Sequence, residues 1–351
     1  MRTAFVCAAV LTAVPAWAGS GAAVLTPAER QAAALIRPEA IRAHTRFLAS
    51  DLLEGRGPAT RGDKLAQEYI AAQLEALGLD PAAPNGTYFQ PLDIVGVTSH
   101  NPQTLVFAGT GQDSGNRSAP SQVSLRFRDD FIAFSGLELP EVAVKDAELV
   151  FVGYGIVAPE YQWDDYKGAD LKGKVLLMMN NDPEDDPQLF EGKTRLYYGR
   201  WNYKYEMAAK LGAAGAIIIH TTPSAGYPWQ VVQTSWTGEQ FALPATAETH
   251  EVPVKSWVTE DSARRIATLG GRDLDGLRAA AQKRDFRPVP LGVRVSLTLR
   301  NDVQRKTTAN VIARLAGSDP ALAKEAVIYT AHHDHLGIKD DAKPGEDKIY
   351  N

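Results

Sequence analysis

Three of the seven histidines stand almost side by side near the end of the chain. They are His332, His333 and His335, with Asp334 between them, and the apolar run 326–330 comes just before. Neutral imidazole is a favoured zinc ligand, and a ligating histidine usually donates its other ring N–H to a carboxylate that fixes its orientation. His332 and Asp334 have the composition of such a pair. From the cluster alone, a solvated polar loop without function is an equally good interpretation.

Two apolar runs predict the strands that would position this cluster. The runs are 310–315 and 326–330, joined by a turn and a short helical piece. The second run leads directly to His332. In an open α/β sheet, ligands bind beyond the ends of the strands, so we expect the histidine cluster to lie where a site would form.

The first part of the chain predicts helices. Thr26, Pro27 and Glu29 have the spacing of a capping box with proline at the first helical position, so a helix should begin there. Farther on, apolar residues recur at helical spacing, and Gly78 with Pro81 predicts the end of that helix. We interpret this apolar stripe as core. It consists of Leu65, Tyr69, Ile70, Leu74 and Leu77.

Short apolar runs between turn residues predict strands over the middle of the chain, and a second α/β unit begins near residue 147. The predicted strands are 105–108, 123–127, 131–134, 149–152, 175–179, 216–219 and 293–299, with a helix at 205–211. The runs 175–179 and 216–219 are continuously apolar, as in strands buried on both faces. We expect the polar segment 262–287 to return the chain to the first unit.

The composition is that of a soluble globular protein long enough for two domains. The chain has 351 residues, 44% hydrophobic and 23% charged, with a formal net charge of -5. This negative charge argues against a surface for nucleic acid or anionic membranes.

The first residues predict an export signal. Arg2 precedes the apolar stretch 4–14, and Ala16 and Ala18 flank a cleavage site, so the mature chain should begin at Gly19. We expect a periplasmic or extracellular protein without stable membrane insertion after the signal is removed. The only cysteine, Cys7, lies inside the signal, which excludes disulfides and a thiol nucleophile from the mature chain.

Several other groups favour a structural interpretation. His220 ends an apolar run and is interpreted as a polar residue at a strand end. The acidic run 182–186 lacks the glycine spacing of a calcium loop and is interpreted as solvated. The aromatic group within 197–205 would either line a peptide groove or pack in the core.

The segment from Tyr329 to Gly337, preceded by 309–313, resembles the first metal motif of the two-zinc aminopeptidases of peptidase clan MH. The resemblance implies that His332 ligates zinc and that Asp334 supports it. His333 occupies a position that varies in the family. His335 is common there without being a primary ligand, so at most a minor role is implied for it.

The resemblance covers nearly the whole mature chain and implies an α/β fold with two parts. One is an incomplete mixed sheet with helices, similar to the zinc exopeptidases, and the other is an inserted protease-associated α/β domain. The segments 47–51, 53–57, 76–79 and 88–91 resemble the helical opening of bacterial members, and 151–156, 163–166, 171–175 and 208–219 resemble the inserted domain. The implied divisions are the signal at 1–18, the first part of the peptidase domain at 19–145, the inserted domain at 146–285, and the start of the zinc core at 286–351.

The implied function is an exported aminopeptidase that uses two zinc ions to remove N-terminal residues from peptides. Complete members carry an aspartate that bridges both zinc ions, a pair of glutamates, and a later aspartate and histidine, and these would follow Asn351. We therefore assign no catalytic residue within the chain and expect it to be inactive by itself. The alternatives are a non-catalytic receptor or binding protein of the same fold, a carboxypeptidase, or a glutaminyl cyclase.

Overall fold

A computed structural model describes residues 25–110, 121–339 and 342–351. The predicted export signal and the predicted start at Gly19 lie outside the described residues. Within the described part of the chain, no helix combines the length and the apolar character needed to cross a bilayer.

Short helices form the opening of the chain. The predicted capping box is confirmed: the Thr26 hydroxyl accepts from the Glu29 amide, and the Glu29 carboxylate accepts from the Thr26 amide at 2.6 Å. A 3-10 turn at Asp51–Arg56 separates the second helix from the third. The helices are α1 (Pro27–Ala33), α2 (Pro38–Leu48), α3 (Arg61–Ala76), α4 (Trp201–Lys210), α5 (Thr222–Ala225), α6 (Trp229–Ser235), α7 (Glu260–Leu269) and α8 (Leu274–Ala281).

Helix α3 buries small and polar side chains rather than those of its apolar stripe. None of the five stripe residues is buried, and Leu65 and Leu77 are exposed. The buried residues are small or polar instead: Gly62, Asp63, Ala66, Gln67 and Ala71. Small residues on this face let the helix approach the 3-10 turn, since a Cβ on Gly62 would stand 1.7 Å from the Leu53 carbonyl oxygen. The interpretation of the stripe as core is wrong.

The strands alternate with these helices along the chain and confirm most of the predicted runs. They are β1 (Asp80–Pro81), β2 (Phe89–His100), β3 (Thr104–Gly109), β4 (Gln122–Arg126), β5 (Phe131–Ser135), β6 (Glu141–Phe151), β7 (Val157–Ala158), β8 (Trp163–Asp164), β9 (Val175–Met179), β10 (Gly215–His220), β11 (Gln240–Ala242), β12 (Val254–Thr259), β13 (Val289–Val311) and β14 (Ala313–Arg314).

Ten of these strands form one mixed sheet, which agrees with the expected α/β class. Its order is β11-β2-β13-β6-β9-β10-β12-β5, with β3 paired to β13 and β4 to β3. Strands β6, β9, β10 and β12 are parallel, and the other pairs are antiparallel. Strand β13 joins the antiparallel part of the sheet to the parallel part, because it pairs with β2 on one side and with β6 on the other.

The core lies on both faces of the parallel strands. Successive side chains of a strand point to opposite faces, and in β10 Ile217 and Ile219 join one apolar cluster while Ala216 and Ile218 join the other. Helix α4 covers one face through Ala208, and α7 and α8 cover the other. The expected polar return segment therefore consists of two amphipathic helices.

The sheet runs across the predicted domain boundaries. The boundary between residues 145 and 146 falls inside β6, and β5, from before that boundary, pairs with β12, from after it. The second boundary, between 285 and 286, lies just before β13. The division into domains stays a prediction.

The run 326–330 is not a strand, so that prediction is wrong. Residues 326–330 form no helix or strand, and Tyr329 is 93% exposed. A strand needs hydrogen-bond partners along its edge, and no described strand pairs with this run. The predicted strand 310–315 divides between the end of β13 and β14, which pairs with β1.

Candidate metal-binding site

His332 makes its closest polar contact with Asp334. Its Nδ1 lies 2.8 Å from the Asp334 main-chain oxygen and 3.4 Å from the Asp334 carboxylate. Because a carbonyl oxygen only accepts, Nδ1 carries a proton, and in the neutral ring Nε2 then keeps its lone pair. Nε2 has no hydrogen-bond partner among the described residues, and the side chain is 78% exposed. His332 is thus held in the tautomer that a metal ion requires of Nε2.

The neighbouring His333 points into the protein rather than into solvent. Its Nε2 lies 2.8 Å from Oδ1 of Asp63, and the Asp63 side chain is only 1% exposed. The other carboxylate oxygen accepts from the Ala59 amide at 2.8 Å and from the Thr308 hydroxyl at 2.6 Å. One buried carboxylate thereby joins α3, β13 and the segment 332–339, which we call the histidine loop.

Hydrogen bonds keep the Asp63 carboxylate ionised. Burial by itself would raise the pKa of Asp63, but hydrogen bonds from His333, Thr308, Ala59 and Gln67 outweigh burial and lower the pKa below its ordinary value. An ionised carboxylate only accepts hydrogen bonds, so His333 Nε2 is the donor in this pair.

Hydrogen bonds to main-chain atoms also hold the histidine loop against the 3-10 turn at Asp51–Arg56. Arg56 Nε donates to the His333 carbonyl at 2.9 Å, and the Arg56 carbonyl accepts from the His335 amide at 2.9 Å. The Gly337 amide donates to the Gly55 carbonyl at 3.0 Å. A Cβ on Gly55 would stand 2.2 Å from the Gly337 oxygen, and Gly55 has φ +66°. Only glycine allows this close approach without strain.

His335 lies at the same surface, where its surroundings favour the neutral imidazole. Burial lowers its pKa, and the charge of Arg56 adds to that effect. Its ring meets the Tyr350 ring edge-on, with the centroids 6.3 Å apart. The minor role implied for His335 stays a prediction.

A cleft of about 740 Å³ opens beside the histidine loop. One wall is formed by the loop at Leu336–Lys339 and by residues of the 3-10 turn region, and the other by the segment 233–241, which contains the end of α6 and the start of β11. Charged side chains of both signs line the cleft, among them Glu54, Glu239 and Lys343. Its volume is in the range of small-ligand and peptide sites.

The described residues supply part of a zinc site and not a whole one. A catalytic zinc ion takes about three protein ligands and keeps an open position for water. Among residues 25–110, 121–339 and 342–351, no three histidine, cysteine, aspartate or glutamate side chains converge to hold a metal ion. His332 Nε2 fits a single ligand position, with Asp334 as its support.

Sequence reasoning missed Asp63, Thr308 and Arg56, the residues that hold the histidine loop. The sequence signal was a set of small and polar residues at helical spacing in α3, beside the apolar stripe: Gly62, Asp63, Ala66 and Gln67. An aspartate in the first turn of a helix is commonly a helix-dipole or capping residue, so its spacing alone does not reveal a long-range partner.

The remaining candidates are mostly structural. His220 is buried at the end of β10 with Nε2 3.0 Å from the Tyr227 carbonyl, which confirms its interpretation. Tyr203 and Tyr205 of the aromatic group are buried and pack in the core. Asp182 is also buried, so the interpretation of the acidic run as solvated is wrong at that residue, whereas Glu184 and Asp185 are exposed.

Comparison with solved structures finds distant matches, one of which is an aminopeptidase. No family model matches the chain, and no curated protein does. The solved structure of an aminopeptidase from Aneurinibacillus sp. strain AM-1 aligns over 80% of this chain with 19% identity and a TM-score of 0.38. The alignment covers 49% of that aminopeptidase, so the chain spans about half of its length. Similarity at this level establishes neither a family nor an activity.

Proposed function

We propose that this chain belongs to an exported zinc-dependent aminopeptidase of clan MH that removes N-terminal residues from peptides. One observation carries the proposal: His332 Nδ1 is hydrogen-bonded to the main-chain oxygen of Asp334, and Nε2 has no partner among the described residues and lies on an exposed side chain. This is the state in which a histidine ligates zinc. The motif around His332 supports the same assignment.

The residues of the chain have distinct parts in this proposal. His332 provides one zinc ligand, and Asp334 fixes the ring through Nδ1. Two bound zinc ions would supply an activated water and polarise the peptide carbonyl. The cleft between the histidine loop and the segment 233–241 provides the space for the peptide. The segment 146–285 is the protease-associated domain of this proposal, so the cleft would lie between that domain and the zinc core.

The chain by itself is proposed to be inactive and to bind zinc weakly. The reason is the donor set: no three ligand side chains converge among the described residues. The same observation favours the alternative of a non-catalytic binding protein. The presence of both His332 and Asp334 argues for the peptidase, because a non-catalytic receptor does not need a zinc ligand and its supporting carboxylate.

Hydrolysis by the full-length protein tests the proposal. Aminoacyl chromogenic substrates should be cleaved, a chelator should abolish turnover, and added zinc should restore it. His332→Ala should remove activity, whereas the matched control His250→Ala, an exposed histidine outside the loop, should keep it. Turnover that survives both the chelator and His332→Ala would refute a zinc peptidase. Absence of turnover in wild type with zinc bound would favour the binding protein.

A further inference from the structure

The contact between Asp63 and His333 joins the helical opening to the histidine loop through side chains. His333 is 18% exposed and His332 is 78% exposed, although the two are neighbours in the chain. One histidine therefore anchors the loop inside the protein while the other stays outside. The two histidines differ because the loop packs against α3 with the His333 side chain toward Asp63 and the His332 side chain toward solvent.

Among the described residues, contacts with three segments determine where the histidine loop lies: the start of α3, the 3-10 turn and the segment 348–350. The run 326–330, which precedes it, has no strand partner among the described residues and is exposed. On its other side, the loop pairs with the segment 348–350: Ile338 forms an isolated bridge with Ile349, the Lys339 amide donates to the Lys348 carbonyl at 2.8 Å, and the Tyr350 amide donates to the Gly337 carbonyl at 3.1 Å. Its position near His332 depends on the Asp63 carboxylate, on Arg56, and on the main-chain bonds of His335 and Gly337 to the 3-10 turn.

Asp63 is well suited to hold this position because its own place is fixed. Its carboxylate is bonded to Ala59 of the preceding loop and to Thr308 of β13. Gln67 of the same helix donates to the Thr308 hydroxyl at 2.9 Å. These hydrogen bonds do not involve the histidine loop, so they hold the Asp63 carboxylate in place independently of His333.

We propose that Asp63 is a positioning residue for the candidate ligand: by binding His333, it fixes the histidine loop so that His332 keeps Nδ1 on Asp334 and Nε2 free. The Asp63 carboxylate is hydrogen-bonded to Ala59, Thr308 and His333, so its part in the proposal is to position the loop and not to ligate metal. The significance of the positioning for zinc rests on the proposed function. The positioning itself can be measured without zinc.

Hydrogen exchange and NMR of the metal-free chain test the positioning. In His333→Ala, which leaves Asp63 bonded to Thr308 and Ala59, the amides of His335 and Gly337 should exchange about tenfold faster or more, because the loop loses a charge-assisted bond. The ring nitrogens of His332 should change from a single Nδ1–H tautomer to a mixture. Asp63→Asn should also speed the exchange of these two amides and give a mixture of His332 tautomers.

Two controls separate positioning from a general loss of stability. His333→Gln keeps an N–H donor for Asp63 and should restore most of the protection and the single tautomer. Asp93→Asn removes an exposed carboxylate that accepts from Thr307, the residue beside Thr308, at 2.9 Å, and should change neither readout. Amides of β10 should exchange at wild-type rates in His333→Ala.

The proposal is overturned if His333→Ala leaves the exchange of both loop amides and the His332 tautomer unchanged. It is also overturned if His333→Gln behaves like His333→Ala. Zinc titration of the full-length protein is a separate measurement: failure of wild type to bind zinc would remove the proposed function, while the exchange and tautomer data would still decide the role of Asp63.

Discussion

The ammonium nitrogen of Lys204 lies 2.7 Å from the main-chain oxygen of Asn181 and has no exposure to solvent. It also donates to the main-chain oxygen of Tyr154 at 2.6 Å. Both oxygens follow the carboxyl ends of parallel strands, β9 and β6, where main-chain groups have left the sheet. Lys204 therefore links α4 to this end of the sheet and satisfies carbonyls that would otherwise be buried without a partner.

Replacing Lys204 by methionine should destabilise the chain by about 3 kcal/mol, because two buried main-chain carbonyls lose their hydrogen-bond donor. Urea denaturation followed by circular dichroism measures this. The matched control Lys210→Met, exposed on the same helix, should change the free energy of unfolding by less than about 0.5 kcal/mol. Equal effects of the two substitutions would show that Lys204 is not a structural link.

The stability contribution of Asp182 should depend on pH. Burial raises the pKa of Asp182 from 3.8 to about 6, although Lys204 and the Leu196 amide act against burial. Because the folded chain holds this proton more firmly than the unfolded chain, the stabilisation is present at low pH and is lost as the pH rises from about 4 to about 6.

Comparison of wild type with Asp182→Asn isolates this effect, since asparagine stays neutral. Between pH 4 and pH 7, wild type should lose about 2 kcal/mol of unfolding free energy relative to the variant. Asp185→Asn, at an exposed position, should run parallel to wild type. A constant difference between wild type and Asp182→Asn over this range would contradict the assigned pKa.

Gly55→Ala should displace the histidine loop. The new Cβ would stand 2.2 Å from the Gly337 oxygen, at a residue with φ +66°, so the loop or the turn must move at a cost of about 1–3 kcal/mol. Exchange of the Gly337 amide should become faster. Gly317→Ala, where the added Cβ meets nothing within 4 Å, is the control, and equal exchange in the two variants would show that the close approach is dispensable.

Asp334→Ala should weaken zinc binding by about tenfold, at the low end of the effect expected for a residue that supports a ligand. The reason is geometric: the nearer contact of His332 Nδ1 is the main-chain oxygen of Asp334, at 2.8 Å, and alanine keeps that oxygen. Zinc titration of the full-length protein measures the change. A loss as large as that of His332→Ala would show that the carboxylate, 3.4 Å away, is the real support.

The strands could be predicted from the sequence where their pattern follows burial. Strand β9 is apolar at every position, and β10 is apolar from Ala216 to Ile219, because both faces of the sheet are covered. The run 326–330 is also apolar, but the strand predicted there is not formed. Apolar character does not provide the neighbouring strand that hydrogen bonding requires. Composition predicts what a strand would bury, whereas pairing depends on the rest of the sheet.

The candidate site was predictable only near His332. The ligand and its neighbour Asp334 are two residues apart, so local spacing predicts their contact. Asp63 and His333 are separated by 270 positions, so no local spacing relates them. Amphipathicity assigns the apolar stripe to the core, but close packing against the 3-10 turn at Gly62 decided which face is buried.

Zinc affinity of the full-length protein, measured by competition with a chromophoric chelator, tests the central claim that His332 ligates zinc. His332→Ala should lower the affinity by at least about 100-fold, because a ligand is lost outright. His250→Ala, the exposed histidine used as a control, should bind zinc like wild type. Equal zinc affinity of wild type and His332→Ala would contradict the assignment of His332 as a metal ligand.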